Sequence, residues 1–276
     1  SFDLRQNHVG VDFYLWFLWK GDEVAPVETF EIMNGTIQMK ELIEQEVVEG
    51  WNYACLRVQS TITEYWDMSR YPLDRHTLNI EIEDTQYDVT DLVYTTRTET
   101  SGVDVGFQVT GWDLSDPVTR ITTYSYKTNY GRPDMPADQA SHYSRFIFSV
   151  HLERPSILFA LKKFYGLFLA VFIGMCALMI SPSHASPRFS VGVGAVFTIV
   201  GNHFVVASGL PDTSQLTLVD QLHIFAGVTI LASILASVVS VLLWDWDKKD
   251  ASNRFDRVCV VLFPVVFFVF CLQSIV

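Results

Sequence analysis

Beyond Lys163 the chain holds four apolar runs long enough to cross a bilayer, and they constrain everything that precedes them. About 20 apolar residues span a hydrocarbon core of roughly 30 Å. Length and hydropathy predict membrane helices over about 156–180, 188–210, 218–244 and 254–276, with Lys162 and Lys163 placed to snorkel at the edge of the first. The second run is the odd one. From Pro187 to Pro211 it reads PRFSVGVGAVFTIVGNHFVVASGLP, too rich in Gly, Ser and Asn to face lipid on all sides. Ser190, Gly194, Phe197, Gly201, Phe204 and Ser208 recur at spacings of 4, 3, 4, 3 and 4, so they form one stripe along a helix. The stripe is small or polar at its ends and aromatic in its middle. Such a face suits a surface that is wet at its ends and can be closed at its centre. A stripe shifted by one residue would present Val193, Val200 and His203 instead.

Charge and hydropathy separate along the chain. A formal charge of −12 with 49% hydrophobic residues is an odd pairing for one soluble domain. Residues 1–160 hold 25 Asp and Glu against 12 Lys and Arg. The expected division is a domain outside the membrane over 1–155 and a membrane domain over 156–276. An acidic field concentrates cations and repels phosphate, which excludes nucleic acid as a partner. Of Cys55, Cys176, Cys259 and Cys271, only Cys55 lies in the first domain, so that domain cannot hold an internal disulfide. No CxxC or zinc spacing is present, and the four thiols read as small apolar filler. No cleavable leader precedes Ser1, so an outside location for the first domain implies an upstream segment that has been removed.

The first domain reads as β. Val11 to Trp19 is apolar on both faces, as a strand covered on each side would be. Thr77 to Glu83 alternates, with Leu78, Ile80 and Ile82 inward and Asn79, Glu81 and Glu83 outward; Arg145 to Glu153 repeats this with Phe146, Phe148, Val150 and Leu152 inward. Turn signals at Asn34-Gly35, Tyr71-Pro72, Ser101-Gly102 and Asp116-Pro117 fall between such runs. Short strands with regular punctuation predict an immunoglobulin-like sandwich or a barrel. Residues 37–49 fit either an amphipathic helix or a pair of strands.

Topology then limits function. Arg188, Lys248, Lys249, Arg254 and Arg257 sit in the connections on one side of the membrane, and residues 211–220 hold no Lys or Arg. The positive-inside rule puts the N-terminal domain outside, residues 245–257 inside, and Trp244 and Trp246 at the inner interface. The cytoplasmic face is then a short loop and a shorter turn. An outer sensor on such a chain has no effector domain of its own to address. Its output must lie in the membrane, which favours a pore.

The segment Asp67 to Arg75, DMSRYPLDR, resembles the signature loop of pentameric ligand-gated ion channels, the Cys-loop receptor superfamily, with Leu73 in place of the usual second aromatic. The two flanking cysteines of animal members are missing, as in bacterial members. Arg154-Pro155, Leu210-Pro211 with Leu218 to Gln221, and Arg257 to Pro264 resemble the later junctions of the family, in the same order, so the resemblance to the bacterial, ELIC-like type covers nearly the whole chain. It implies a homopentamer of β-sandwich and four-helix subunits in a bacterial inner membrane, with lipids, permeant ions and a small agonist as further partners. It also implies an agonist site between subunits from Glu83, Thr85, Tyr130 and Tyr143 on one face and Tyr14 on the other. Rings with a carboxylate favour an amine. Thr85 stands where the ELIC-like type has an aromatic. The stripe becomes the pore lining, Phe197 and Phe204 the gate, and Tyr71, Pro72, Leu73, Asp74, Arg154, Pro211 and Asp212 the coupling interface. The family's first strand is expected upstream of residue 1.

The acidic domain favours cations, whereas the Ser186-Pro187-Arg188 end of the pore helix resembles anion-selective members as much as cation-selective ones. Asn202 and His203 either hydrogen-bond between helices or, for His203, sense pH. Asp84, Asp88 and Asp91 are either a weak calcium-class site or scattered solvated acids; no other cofactor is implied. A membrane-anchored binding protein or outer-surface enzyme is the alternative class, although no nucleophile triad, phosphate loop or metal cluster stands out.

Overall fold

The computed structural model describes residues 2–275 except 4, 105, 132, 134, 135, 137–139, 156 and 211–214. The chain divides into two compact units: the described residues of 1–66 with 75–153, and those of 67–74 with 154–276.

The first unit is a sandwich of two antiparallel sheets. One runs in the order β1 (Phe2–Asp3), β2 (His8–Trp19), β5 (Trp51–Thr63), β4 (Gly35–Val48); the other runs β3 (Phe30–Ile32), β6 (Arg75–Asp84), β9 (Ser141–Glu153), with β7 (Asp113–Leu114) and β8 (Val118–Tyr126) both pairing with β9. A one-turn helix, α1 (Pro26–Thr29), precedes β3. Residues 37–48 lie in the single strand β4, so they are neither the helix nor the pair of strands expected; their edge position with two register shifts explains why glutamates are tolerated there. The core is Phe17, Phe30, Ile32, Leu56, Val58, Ile62, Ile80 and Ile82, with Phe146 and Phe148 packed against it. Ala54, Leu56, Val58, Ser60 and Ile62 alternate inward along β5, as a half-buried strand requires. Two expectations differ. β2 is covered on one face only, because Asp12, Tyr14, Trp16 and Leu18 on the other are exposed. Glu83 points away from the core as alternation predicts, yet it is buried, because β8 and β9 side chains close over it.

The second unit holds four long helices: α2 (Ile157–Met179), α3 (Ala185–Ala207), α4 (Leu218–Asp245) and α5 (Lys249–Ile275), each long and apolar enough to cross a membrane. α3 starts three residues before its expected position. Pro187 therefore lies in its first turn, where a missing N–H costs no intrahelical bond. α5 starts five residues early and continues through Pro264. Thr217 caps α4 in a reciprocal box with Asp220: the Asp220 N–H donates to the Thr217 hydroxyl at 3.1 Å and the Thr217 N–H to the Asp220 carboxylate at 2.9 Å.

Residues 67–74, the loop between β5 and β6, belong to this helical unit. The Leu218 N–H at the start of α4 donates to the Ser69 carbonyl at 2.8 Å, and an Arg70 guanidinium nitrogen donates to the Ile275 carbonyl at 3.0 Å. Asp74 is buried beside Arg154, whose Nε donates to it at 3.2 Å and whose guanidinium lies over the rings of Tyr71 and Phe159. Of the expected coupling residues, Tyr71, Pro72 and Asp74 are buried and Leu73 is half-buried in this unit, and Pro211 and Asp212 lie outside the described residues.

Candidate functional site

Two places in the molecule hold chemistry that a stable fold does not require. The first lies in the sandwich, where β6, β8 and β9 meet. Tyr124 and Tyr126 alternate along β8, and the register sets Tyr124 opposite Tyr143 on β9. The ring of Tyr126 is 4.7 Å from that of Tyr124, 5.8 Å from Tyr143 and 6.1 Å from Tyr130. Tyr130 takes part by adopting φ +54°, a left-handed conformation that costs an L-residue about 1–2 kcal/mol. The turn is held by the Thr128 hydroxyl accepting from the Tyr130 N–H and by Asn129 accepting from the Gly131 N–H.

Beneath the rings is a charge cluster. Arg145 donates from Nε to Glu83, from Nη1 to Glu81, and from Nη2 to the Tyr126 hydroxyl at 3.1 Å, and its guanidinium lies 3.8 Å from the Tyr124 ring centre. The Tyr126 hydroxyl donates to the second oxygen of Glu83 at 2.9 Å. Both Glu83 oxygens are thus engaged, and it anchors Arg145 and Tyr126. One guanidinium balances two carboxylates, so the cluster keeps a surplus negative charge. Glu31 on β3, opposite Glu83 in the register and exposed, adds to it. Burial, then Glu83 and Asp84, pushes the Glu31 carboxyl above its ordinary range. Burial, then the Glu83 hydrogen bond, pushes the Tyr126 phenol well up. Tyrosine rings thus stand over a cluster whose charges sum to a negative surplus.

Of the residues expected here, Glu83, Tyr130 and Tyr143 come together. Thr85 is exposed beside them, its hydroxyl donating to the Thr29 carbonyl at 2.9 Å. Tyr14 stands on the other sheet, 58% exposed, paired across the strands with Arg57, which bridges to Asp12 at 2.8 Å. Part of the loop Gly131 to His142 lies outside the described residues. Tyr124, Tyr126, Glu81 and Glu31 were missed; the signal for the tyrosines was the alternation of TYSY. The candidate cation site is not assembled. Asp84 is buried with its oxygens taken by the Thr29 hydroxyl and the N–H groups of Gln86 and Tyr87, and Asp88 accepts from Thr90. Among the described residues no group of three or more His, Cys, Asp or Glu could hold a metal ion.

The second place is α3. Gly194, Phe197, Gly201, Phe204 and Ser208 are all exposed along one face, with Phe197 at 75% and Phe204 at 74%, and Ser190 at the start of the same face is also exposed. The opposite face, Arg188, Gly192, Ala195, Ile199 and Val206, is buried against the other helices. Gly192 is required there, since a Cβ would meet Ile234 at 2.8 Å, whereas Gly194 and Gly201 on the stripe face open space.

Arg188 does not belong to the stripe. It is fully buried, donating to both oxygens of Asp256 at 2.9 and 2.6 Å and to the Ile180 carbonyl at 3.1 Å, and the Ser240 hydroxyl donates to the same carboxylate. At the other end, the His203 Nε2 donates to Asp220 at 2.9 Å, and Asn202 Oδ1 lies 2.9 Å from His223 Nε2. Both polar residues thus hydrogen-bond between helices α3 and α4. Asp220 serves twice, capping α4 and holding His203.

No protein-family model matches the chain. It is similar to a γ-aminobutyric acid receptor subunit beta-like protein of Drosophila melanogaster, 24% identical over 210 residues that cover 74% of this chain and 39% of that one. The beta subunit of such a receptor in Lymnaea stagnalis is 24% identical over 203 residues, 72% of this chain and 38% of that one. The pi subunit of Rattus norvegicus is 22% identical over 198 residues, 72% of this chain and 42% of that one. The chain thus aligns with about two-fifths of the length of these relatives. They are animal proteins, so they do not bear on the expected bacterial origin.

Proposed function

We propose, from its similarity to γ-aminobutyric acid receptor subunits, that this chain belongs to the Cys-loop receptor superfamily and is a subunit of a pentameric ligand-gated ion channel whose pore is lined by α3. The observation that carries the reading is the exposed stripe. A membrane-crossing helix that turns small and polar residues away from its own bundle needs water on that face, and five copies around an axis supply it. Phe197 and Phe204 are about 10 Å apart along the helix, at 1.5 Å per residue. Five copies of each ring narrow the pore to a hydrophobic constriction that excludes ions by dewetting.

The agonist is an amine, as is the ligand in the relatives' names. Its cation meets the rings of Tyr126, Tyr130 and Tyr143 and the surplus charge of Glu31, and Tyr14 of a neighbouring copy completes the site. Movement of β6 passes into the helices through the loop 67–74, which is covalently continuous with that strand and holds the ends of α4 and α5. Cations are the permeant ions. Arg188, the charge that would favour anions, faces away from the stripe and is cancelled by Asp256.

Single-channel recording from purified protein in a lipid bilayer tests this. Amine-evoked currents are expected, lost in Tyr143→Ala, with a raised resting leak in Phe197→Ala. Absence of any conductance from a correctly assembled protein would sink the reading, and a reversal potential tracking chloride in asymmetric salt would overturn cation selectivity.

A further inference from the structure

α4 carries a line of buried hydroxyls: Thr229, Ser233, Ser237 and Ser240. Three of them are engaged. Thr229 donates to the Phe225 carbonyl at 2.8 Å, Ser233 to that of Ile230 at 2.7 Å, and Ser240 to Asp256 at 2.8 Å. Ser237 differs. A helical serine can donate to the carbonyl four residues back, yet the Ser237 hydroxyl, on a residue 1% exposed, has no hydrogen-bond partner among the described residues. Arg188, 0% exposed, holds a second such atom. Its Nη atoms are taken by Asp256 and the Ile180 carbonyl, but its Nε has no partner among the described residues. Helix register brings the two atoms to one level. α3 and α4 run antiparallel, since Asn202 meets His223 towards one end and Gly192 faces Ile234 towards the other. One turn further along, Arg188 comes level with Ser237 and Val238. Its Nη atoms reach on to Asp256, which Ser240 holds about one turn beyond. Nε, the guanidinium nitrogen nearest the backbone, therefore stays at the level of Ser237. The neighbours here are small: Ala236 and Cys259 pack together, one beside Ser237 in sequence and the other one turn from Asp256.

A buried donor without an acceptor is costly, and protein interiors serve such groups with other protein atoms or with enclosed water. We infer that one water molecule is bound between Arg188 Nε and Ser237 Oγ. It accepts from both and donates to the Ser233 carbonyl, whose second lone pair the Ser237 hydroxyl leaves free. Three hydrogen bonds are typical of an internal water. An anion is the other ligand that two donors could hold. Asp256 already cancels the arginine, however, so a further buried charge would have no partner. The site is an enclosed one, since both side chains are sealed from the surface. The water gives α3 a direct bridge to the hydroxyl line of α4, beside the bond that Arg188 makes to α5. The inference concerns the helical unit alone and stands apart from channel activity.

Two measurements test it. A density map of the full chain in lipid nanodiscs, at a resolution that shows ordered water, should hold a peak about 2.7–3.2 Å from both Arg188 Nε and Ser237 Oγ. The peak should weaken in Ser237→Ala. Thermal unfolding of the same variant gives a result whose sign decides. With the water in place, Ser237→Ala deletes one of its bonds, and the melting temperature should fall by about 2–4 °C. Without it, the substitution removes a buried hydroxyl that bonds nothing, and the melting temperature should hold or rise. Absence of the peak from a map that shows water elsewhere in the bundle would overturn the site. So would a Ser237→Ala protein as stable as the original. A peak that vanishes in halide-free buffer and returns with bromide would make the ligand an anion, which overturns the assignment to water.

Discussion

Each unit buries an arginine against carboxylates away from the loop 67–74, Arg188 in the helices and Arg145 in the sandwich, and these two arginines do opposite things. Arg188 meets a single carboxylate, uses both of its oxygens, and leaves no net charge. The surrounding hydroxyls of Ser240 and Ser252 complete a closed knot between α3, α4 and α5. Arg145 meets two carboxylates and a phenol beneath exposed tyrosine rings, so it leaves a negative surplus at the surface. The first pair is a lock and the second a template. The difference lies in stoichiometry and exposure, not in residue type. Sealed from water, an unbalanced charge would be ruinous, so the Arg188 pair is one to one. At the edge of the sandwich the imbalance is tolerated, and on the function proposed above it is what an amine would meet.

The sharpest way to break this contrast is Arg188→Ala. It leaves Asp256 buried without its partner, which costs about 3–5 kcal/mol, whereas replacing both by Arg188→Met with Asp256→Leu should recover most of that. Thermal unfolding of the purified protein measures both; an unchanged transition in the single variant would remove the lock. Glu83→Gln comes next. It keeps the shape but removes a charge-assisted hydrogen bond of about 1.5–3 kcal/mol, so amine activation should shift to roughly tenfold or more higher concentration. Tyr126→Phe should cost about 1 kcal/mol, because it deletes one hydrogen bond and keeps the ring.

The smallest effect concerns pH. The Glu31 carboxyl is raised above its ordinary 4.5 by burial, Glu83 and Asp84, so folding favours its protonated form. That contribution is full below 4.5 and is lost as pH rises through the raised value. Glu31→Gln should therefore raise the melting temperature at pH 7 and leave it unchanged below pH 4.5. A shift equal at both pH values would show that Glu31 does not feel the cluster.

Much of this was legible in the residues. The stripe on α3 could be read because helical periodicity depends on local geometry alone; its residues are exposed, as are Val193 and Val200 of the stripe shifted by one residue. The same arithmetic could have placed Arg188: with Gly192, Ala195, Ile199, Asn202 and Val206 it recurs at spacings of 4, 3, 4, 3 and 4 on the opposite face. Strand alternation likewise gave the facing of β6 and β9. It failed on β2, where an apolar run on both faces is covered on only one.

The sequence by itself determined the β character of the first part, the four apolar spans and the side of each helix or strand on which a residue lies, because these follow from periods of two and 3.6 and from the length of an apolar run; that residues 67–74 join the helical unit it did not. The tertiary structure alone decided who meets whom. Asp256 lies 68 residues from Arg188, and Glu83 lies 43 from Tyr126 and 62 from Arg145. Periodicity carries no information across such separations. Only packing of helix on helix and strand on strand turned one exposed carboxylate into a buried anchor, and one pore-end charge into a neutral lock.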